Sequence, residues 1–396
     1  MNCIKKFLNF FDEKNLFYIA FALFFFTHWM SQTSLDYDEL PLLVVAAVLL
    51  LVKNFKTKYT TKELLFGFAI FGVGLCSWLS TGSCAAVWCA VIALSMKNVS
   101  LKKVMQIMLI VAVSVTTLMA VLSLCGVCGD IYRIYGGRLE AGEIRFHLGV
   151  SHPNGLHFRF FFITALIFGL FYTRLKAYHY GILMVLNAGL VCLTKSRTGF
   201  LCCVFLIAAM FIYRYVFSFV KTKAAYVAVN VGCAACILVS LFSMTHFNTE
   251  SSIWMQVDKL TSGRLTLGSQ CYATYGISLF GSKVEGVIFD MGISRLLIEN
   301  GVFFFVILYA GMFMVMKYFY DKKQYNFIVI MTAFLVYSLS ERTNLYAYFN
   351  LQIILMGYAL WQMFKLDDTT DEENLSVVPN KKPVQGKYGY AAKSQN

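Results

Sequence analysis

The chain has 396 residues, of which 59% are hydrophobic and only 14% are charged, and its formal net charge is +13. A mean hydropathy of +0.65 excludes a water-soluble protein of this length, because one core could not bury so much apolar surface. The chain is therefore predicted to be a polytopic membrane protein. Its apolar runs lack the period-two alternation of membrane β-strands, so the spans are predicted to be α-helices.

Apolar runs of nearly membrane-spanning length, which is roughly 20 residues, indicate about twelve helices. The predicted fold class is thus an all-α polytopic membrane protein with one helical domain over 1–366 and a long external loop between the ninth and tenth helices. The second, fourth and seventh runs are short for a full crossing, which leaves the count open by about one or two. In chain order the helices are expected at 16–31, 40–53, 63–80, 84–97, 104–127, 156–173, 179–193, 198–219, 224–243, 293–316, 325–340 and 344–364.

Lysine and arginine collect in alternate connections, and the positive-inside rule predicts that these connections face the cytoplasm. The intervening connections, with external loops at about 128–155 and 244–292, then lie outside, and both termini lie inside. This asymmetry accounts for the positive charge, so no nucleic-acid partner is predicted. Residues 367–396 are expected to form a disordered cytoplasmic tail. The basic connections contain Lys5, Lys53, Lys62, Lys97, Lys103, Arg174, Lys176, Arg214, Lys223, Lys317 and Lys323.

Most of the 12 cysteines fall inside predicted spans, where a cysteine behaves as a small apolar residue. Cys125 and Cys128 form a CxxC pair at an outer helix end, but no second pair or histidine follows at ligand spacing. We therefore predict no metal site and no other cofactor.

Charged and polar residues at the outer helix ends are the candidates for function, because charge in a bilayer is costly. A first group precedes the sixth helix and contains Arg138, Arg145, His152 and Asn154. Pro153 suits the first position of that helix. His152 and Asn154 are interpreted, with equal weight, as a capped helix start or as ligand contacts.

Two further arginines near outer helix ends are interpreted differently. Arg159, inside the sixth helix, is expected to extend back to the membrane interface, as long basic side chains do. Arg197 lies in a tight turn, Thr194 to Gly199, between two apolar spans. It could be an interfacial anchor, but a positive charge on the outer side runs against the topology rule. We therefore favour a functional role for Arg197.

The long loop over 245–292 is expected to contain two helices. Ser251 to Leu260 has apolar residues at helical spacing, which predicts an amphipathic helix on the membrane surface. A Ser-Gly break follows, and Arg264 would open a second helix, whose free N–H groups and guanidinium would together bind phosphate. The alternative is that Arg264 pairs with Asp258 or Glu250 to hold the loop together.

Three more candidates stand near the last two outer connections. Asp290 precedes the tenth helix and is either a base or a residue favoured by the helix dipole. Arg295 is four residues before Glu299 and either contacts a ligand or pairs with that carboxylate. The last outer turn carries Glu341 and Arg342.

Outward-facing arginines and carboxylates at headgroup depth favour an anionic ligand attached to lipid. A sugar on a lipid pyrophosphate fits this arrangement, because its leaving group needs only cations to hold the developing charge and one base to deprotonate the attacking hydroxyl. The sequence contains no GxxxxGK[ST] phosphate loop and no soluble domain for a nucleotide sugar. These residues therefore predict a glycosyltransferase that uses neither a metal nor a nucleotide.

The order of several short motifs resembles that of bacterial Wzy-type polysaccharide polymerases, members of the O-antigen ligase-like superfamily. The resemblance covers roughly His147 to Asn344. It implies a type C glycosyltransferase fold and transfer of a growing glycan from undecaprenyl pyrophosphate onto a lipid-linked oligosaccharide repeat unit, at the outer face of the cytoplasmic membrane. The motifs are Ser151-His152-Pro153-Asn154, Lys195-Ser196-Arg197-Thr198-Gly199, Ser262-Gly263-Arg264, Leu279-Phe280-Gly281 and the stretch from Asp290 to Gly301.

The same resemblance implies roles for individual residues. Arg197 and Arg264 would bind the pyrophosphate, and the base would be Asp290, Glu341 or His152. The ligases carry a histidine where Asp290 stands, which favours a polymerase. The other expected substrate contacts are Arg138, Arg145, Asn154, Arg295 and Arg342.

The expected partners are the bilayer, the lipid-linked oligosaccharide, and a flippase and chain-length regulator of the same pathway. Two alternatives stay open. One is ligase-like transfer of glycan to another acceptor. The other is a transporter or lipid flippase, against which stand the absence of an internal duplication and the presence of only 4 prolines to break helices around a central site.

Overall fold

The computed structural model describes residues 12–136, 141–216, 221–287, 289–343 and 346–365. These residues form a helical bundle with one short hairpin, β1 (Tyr132–Gly136) and β2 (Ala141–Phe146), between the fifth and sixth helices. The helices are α1 (Glu13–Ser31), α2 (Leu40–Lys56), α3 (Thr61–Thr81), α4 (Ala85–Ser95), α5 (Leu101–Leu124), α6 (Pro153–Phe171), α7 (Ala177–Thr194), α8 (Arg197–Phe211, continued by a π-helical turn at Ile212–Val216), α9 (Lys223–His246), α10 (Ser252–Leu260), α11 (Arg264–Tyr275), α12 (Gly292–Asp321), α13 (Tyr325–Ser338) and α14 (Leu351–Lys365).

A helix occupies each predicted position, and the two short helices expected in the late loop are confirmed as α10 and α11. Within the described residues, 7 helices are long and apolar enough to cross a membrane. The chain therefore has the architecture of an all-α membrane protein. The 7 helices are α3, α5, α6, α7, α8 with its π-helical turn, α9 and α12.

The hairpin was not predicted, because residues 128–155 were expected to form an external loop. Its strands pair antiparallel, with Ile134 opposite Ile144 on one face and Arg133 opposite Arg145 on the other. This alternation gives the hairpin one apolar and one polar face. The tail predicted over 367–396 lies outside the described residues.

Hydrogen bonds to backbone carbonyls bring several connections together at one end of the bundle, which we call the hairpin end. Ser34 N donates to the carbonyl of Gly149 at 2.8 Å, joining the chain after α1 to the chain after the hairpin. Ser80, in the last turn of α3, donates its hydroxyl to the carbonyl of Gly281 at 2.7 Å. The end of α1, the end of α3, the hairpin and the late loop thus share one end.

The late loop is anchored by a break in α12 at Gly301, which has a φ of 81°. Residues Ser278–Ser282 fill the break, and Val302 N donates to the carbonyl of Ser278 at 3.0 Å instead of to its own helix. A Cβ on Gly301 would lie 2.4 Å from Gly281 N, so only glycine fits there. These hydrogen bonds therefore fix the late loop to α12, the helix that follows it.

Arg159 does not extend to the protein surface, so the prediction that its side chain reaches the membrane interface was wrong. Its side chain is 1% exposed and points into the bundle, where it donates to the carbonyl of Trp29 and lies over the Trp29 ring at 4.9 Å. That carbonyl belongs to the last turn of α1, where helical carbonyls lack helical partners and a cation is favoured. Arg159 therefore joins α6 to the end of α1.

The opposite end of the bundle holds a buried ion pair between Lys97 and Glu63. Lys97 Nζ also lies 4.8 Å from the Tyr59 ring centre and 5.4 Å from that of Trp361. Glu63 belongs to the first turn of α3, where it completes a capping box with Thr60. This pair therefore lies at helix ends rather than midway along the bundle.

Candidate functional site

Glu341, just after α13, is the centre of a polar cluster at the hairpin end. Its Oε1 accepts hydrogen bonds from Arg264 Nη2 at 2.9 Å and from Asn154 Nδ2 at 3.1 Å. Arg145 Nη2 in turn donates to Asn154 Oδ1 at 2.9 Å. These four residues, which we call the Glu341 cluster, come from the hairpin, the start of α6, the start of α11 and the turn after α13. The arrangement joins connections far apart in sequence.

Arg264 reaches the cluster because Gly263, at a φ of 78°, ends the turn before α11 and lets the helix begin at Arg264. Its Nη1 donates to Thr198 Oγ1 at 3.3 Å, and its Nη2 pairs with Glu341. The alternative pairing of Arg264 with Asp258 or Glu250 is therefore wrong.

The N–H groups at the start of α11 are not free, so that part of the predicted phosphate site is also wrong. Asp258 Oδ1 accepts from Leu265 N at 2.9 Å and from Thr266 N at 3.1 Å. Asp258 Oδ2 accepts from the Thr266 hydroxyl at 2.6 Å. The carboxylate caps the helix from within the same loop. Any anion at this position would meet the Arg264 guanidinium and not the helix end.

Arg145 connects the hairpin to α7. Its Nε donates at 2.8 Å to the carbonyl of Thr194, the last residue of α7, and its guanidinium lies 5.3 Å from the Tyr135 ring centre. A cation at a helix C-terminus is favoured by the helix dipole. Arg145 therefore has a structural partner on one side and Asn154 of the cluster on the other.

His152 caps α6, as one of its two interpretations expects. Its Nδ1 accepts from Asn154 N at 3.1 Å, and its ring meets Tyr135 edge-on at 5.6 Å. Desolvation lowers the pKa of His152, and the positive charge of Arg145 lowers it further. Asp290 acts in the opposite direction. His152 is therefore a neutral imidazole at pH 7 with one nitrogen already used as a hydrogen-bond acceptor.

Burial raises the pKa of Glu341 to about 7, and the negative charge of Asp290 adds to this effect. Arg264, Arg342 and the hydrogen bond from Asn154 oppose it. The side chain is 15% exposed, so water does not solvate the carboxylate fully. A carboxylate that titrates near neutral pH can both take up and release a proton under physiological conditions.

Asp290 is half-buried and lies two residues before α12. It does not cap that helix, whose N-cap is Met291 without a side-chain hydrogen bond. Its charge acts on both Glu341 and His152. Asp290 therefore influences the protonation of the other two candidate bases.

Arg197 and Arg342 are exposed beside the cluster. Arg197 is the first residue of α8 and precedes Thr198, which contacts Arg264. Arg342 follows Glu341, and its charge lowers the pKa of that carboxyl. In the part of the chain that the structure describes, neither guanidinium has a hydrogen bond or an ion pair. Both remain available to an anion.

Arg295 does not contact the Glu341 cluster, because its hydrogen bonds go to Glu299 and Phe289. Its Nε donates to Glu299 at 2.6 Å and its Nη1 to the carbonyl of Phe289 at 2.9 Å. The alternative interpretation, a pair with Glu299, is thus confirmed, and Arg295 fixes the end of the late loop rather than joining the Glu341 cluster. Arg138 lies outside the described residues.

Three polar residues outside the predicted site position the turn before α8. His157, fully buried in α6, contacts Asn187 Oδ1 at 2.8 Å and Thr194 Oγ1 at 3.0 Å. A Cβ on Gly199 would lie 2.7 Å from the His157 ring, so the close approach of α8 to α6 needs glycine. The sequence feature that could have indicated these residues is the presence of His157 and Asn187, two polar residues, inside apolar spans.

No protein-family model matches the chain, and no curated protein and no solved structure shows significant similarity to it. The resemblance to Wzy-type polymerases therefore depends on the motifs of this sequence alone.

Proposed function

We propose that this chain is a Wzy-type polysaccharide polymerase, a metal-independent glycosyltransferase of the outer face of the cytoplasmic membrane. It transfers a growing glycan from undecaprenyl pyrophosphate onto a lipid-linked oligosaccharide repeat unit. The observation that carries the proposal is Glu341, a largely buried carboxyl held by Arg264 and Asn154 at the end of an apolar bundle. Under this proposal all twelve apolar helices are embedded in the membrane in a type C glycosyltransferase fold, with both termini cytoplasmic.

The cations of this region suit a pyrophosphate. Arg264 has one carboxylate partner, whereas Arg197 and Arg342 have none among the described residues. Guanidinium groups bind phosphate oxygens through paired hydrogen bonds and stabilise charge that develops on a leaving pyrophosphate. A lipid anchored in the bilayer would bring its pyrophosphate to the depth of these helix ends.

Glu341 is the base that this geometry favours. Its two protein contacts are both at Oε1, which leaves Oε2 without a hydrogen-bond donor among the described residues. An acceptor hydroxyl would pass its proton to this carboxylate as its oxygen attacks the anomeric carbon. The bond from that carbon to the pyrophosphate oxygen would break, and the lipid pyrophosphate would leave with the electron pair.

Donor binding would strengthen this base. A pyrophosphate that takes Arg264 away from Glu341 removes the carboxylate's counter-ion and adds negative charge nearby. Both changes raise the pKa of Glu341 further. Asp290, whose charge already acts in that direction, would tune the base rather than replace it.

The test is deletion in the native host followed by gel analysis of surface glycan. The proposal expects loss of long chains with survival of single repeat units, and restoration by the unaltered protein but not by Glu341→Gln. Glu285→Gln is the matched control, because Glu285 lies in the late loop with a 68% exposed side chain. Unchanged long glycan after deletion would contradict the proposal, and long polymer that fails to attach to its final acceptor would indicate a ligase.

A further inference from the structure

A cavity opens at the hairpin end, between the end of α1, the connection from α3 to α4 and the chain before α14. It has a volume of about 100 Å³ and its walls include His28, Cys84, Trp88, Tyr346 and Tyr348. A single water molecule needs only about 10–15 Å³ by this measure, so the cavity has room for a larger polar group.

Stacked aromatic side chains form part of the wall. The Tyr348 ring stacks on His28 with centroids 4.1 Å apart and an interplanar angle of 18°, and on Tyr346 at 5.3 Å and 22°. Trp88 also lines the cavity and packs against Phe24, with ring centroids 4.7 Å apart. These contacts hold the rings in fixed orientations.

Two buried polar atoms beside this wall have no hydrogen-bond partner among the described residues: His28 Nε2 and Glu39 Oε2. The closest approach of the two side chains is 3.6 Å, between His28 Nδ1 and Glu39 Oε2. A buried polar atom without a partner costs free energy, so a ligand that supplies hydrogen-bonding groups here would be favoured.

The cavity neighbours the Glu341 cluster. Glu341 follows α13 and Tyr348 precedes α14, so both belong to the connection between these two helices. This connection joins the proposed base to the wall of the cavity.

We infer that this cavity binds a sugar ring of the acceptor repeat unit. The apolar C–H face of a pyranose packs against aromatic rings, while its hydroxyls exchange hydrogen bonds with carboxylate and imidazole groups. The carboxylate of Glu39 disfavours a phosphate in this cavity. The pyrophosphate of the donor therefore binds at the arginines, and the neutral sugar of the acceptor binds at the aromatic rings. This inference rests on the proposed function, because it assigns the second substrate of that reaction.

Cys84 provides the test, because it is exposed and belongs to the cavity wall. The purified full chain is labelled with a water-soluble maleimide, and modification rates at Cys84 and Cys125 are measured by mass spectrometry. Cys125 is the internal control, since it is exposed at the end of α5 and does not line the cavity. The probe is the repeat-unit oligosaccharide released by mild acid from the lipid carrier of a host that lacks the protein.

We expect the oligosaccharide to slow labelling of Cys84 about fivefold, as for a site ~80% occupied, and to leave Cys125 unchanged. Trp88→Ala should remove this protection, whereas Trp78→Ala, at a tryptophan 44% exposed on α3, should keep it. Unchanged labelling of Cys84 in a protein whose deletion abolishes long polymer overturns the sugar site and leaves the proposed function standing.

If deletion leaves the polymer intact, the proposed function fails, and methyl glycosides of common hexoses and N-acetylhexosamines replace the repeat unit as probes. Protection of Cys84 by one of them would still support a sugar site. Protection by none would overturn that site as well.

Discussion

Replacing Glu341 with glutamine removes the ionisable group of the Glu341 cluster while keeping its shape. The glutamine oxygen can still accept from Arg264 Nη2, which lies 2.9 Å from Oε1 in the unaltered protein. The variant therefore loses charge and basicity and keeps a hydrogen-bond acceptor. This separates the titration of the carboxyl from its role in packing.

The stability effect has a defined sign with pH. The pKa of Glu341 in the folded protein is about 7 against an ordinary value of 4.5, so the folded state holds the proton more tightly than the unfolded state. Stability from this group is therefore present below pH 4.5 and is lost as the pH rises toward 7. At about 1.4 kcal/mol for each tenfold change in acid constant, the loss is about 3 kcal/mol.

Glutamine does not ionise, so Glu341→Gln should lose none of this stability. The two purified proteins are melted in detergent from about pH 4.5 to 8. The melting temperature of the variant should rise relative to that of the unaltered protein as the pH rises. A difference in melting temperature that stays constant over this range would refute the raised pKa. Glu285→Gln should show no such trend, because that side chain is 68% exposed.

The same titration should control activity. Loss of a general base typically costs 10²–10⁴-fold in rate, and we expect a loss of that order in Glu341→Gln. In the unaltered protein the rate should fall about tenfold per pH unit below about pH 7, because only the carboxylate accepts a proton. Polymerisation of purified lipid-linked repeat units measures both effects. A rate independent of pH between about 5.5 and 7 would show that Glu341 is not the base.

Three further predictions concern the arginines near this carboxyl, Asp290, and the break in α12. Arg264→Ala and Arg197→Ala should each abolish long glycan while the protein stays folded and membrane-inserted, and long glycan from either variant on a gel would refute its pyrophosphate role. Asp290→Asn should lower the pKa of Glu341 and move the acid limb of the pH profile to lower pH, whereas complete loss of turnover at every pH would make Asp290 the base instead. Gly301→Ala should destabilise the protein by more than about 2 kcal/mol in thermal melts, because its Cβ would lie 2.4 Å from Gly281 N; an unchanged melting temperature would contradict the tight contact at the break.

Much of the late loop could be predicted from local pattern. The spacing of apolar residues in Ser251 to Leu260 indicated α10, and the Ser-Gly break placed the start of α11 at Arg264. Such features depend on neighbours a few residues apart, so the sequence contains them directly. The partner of Arg264 is different, because Glu341 is 77 residues away and two nearer carboxylates were available.

The amino-acid sequence by itself determined where the apolar helices lie and which polar residues stand at their ends, because the cost of charge in hydrocarbon leaves a regular pattern. The tertiary structure alone decided which ends meet. In the folded chain, Arg159 donates to the carbonyl of Trp29, Asp258 caps α11, and Arg264 pairs with Glu341. The reason is physical: a charge near the end of a helix takes whichever partner the packing of other helices places beside it, and that packing depends on the whole chain.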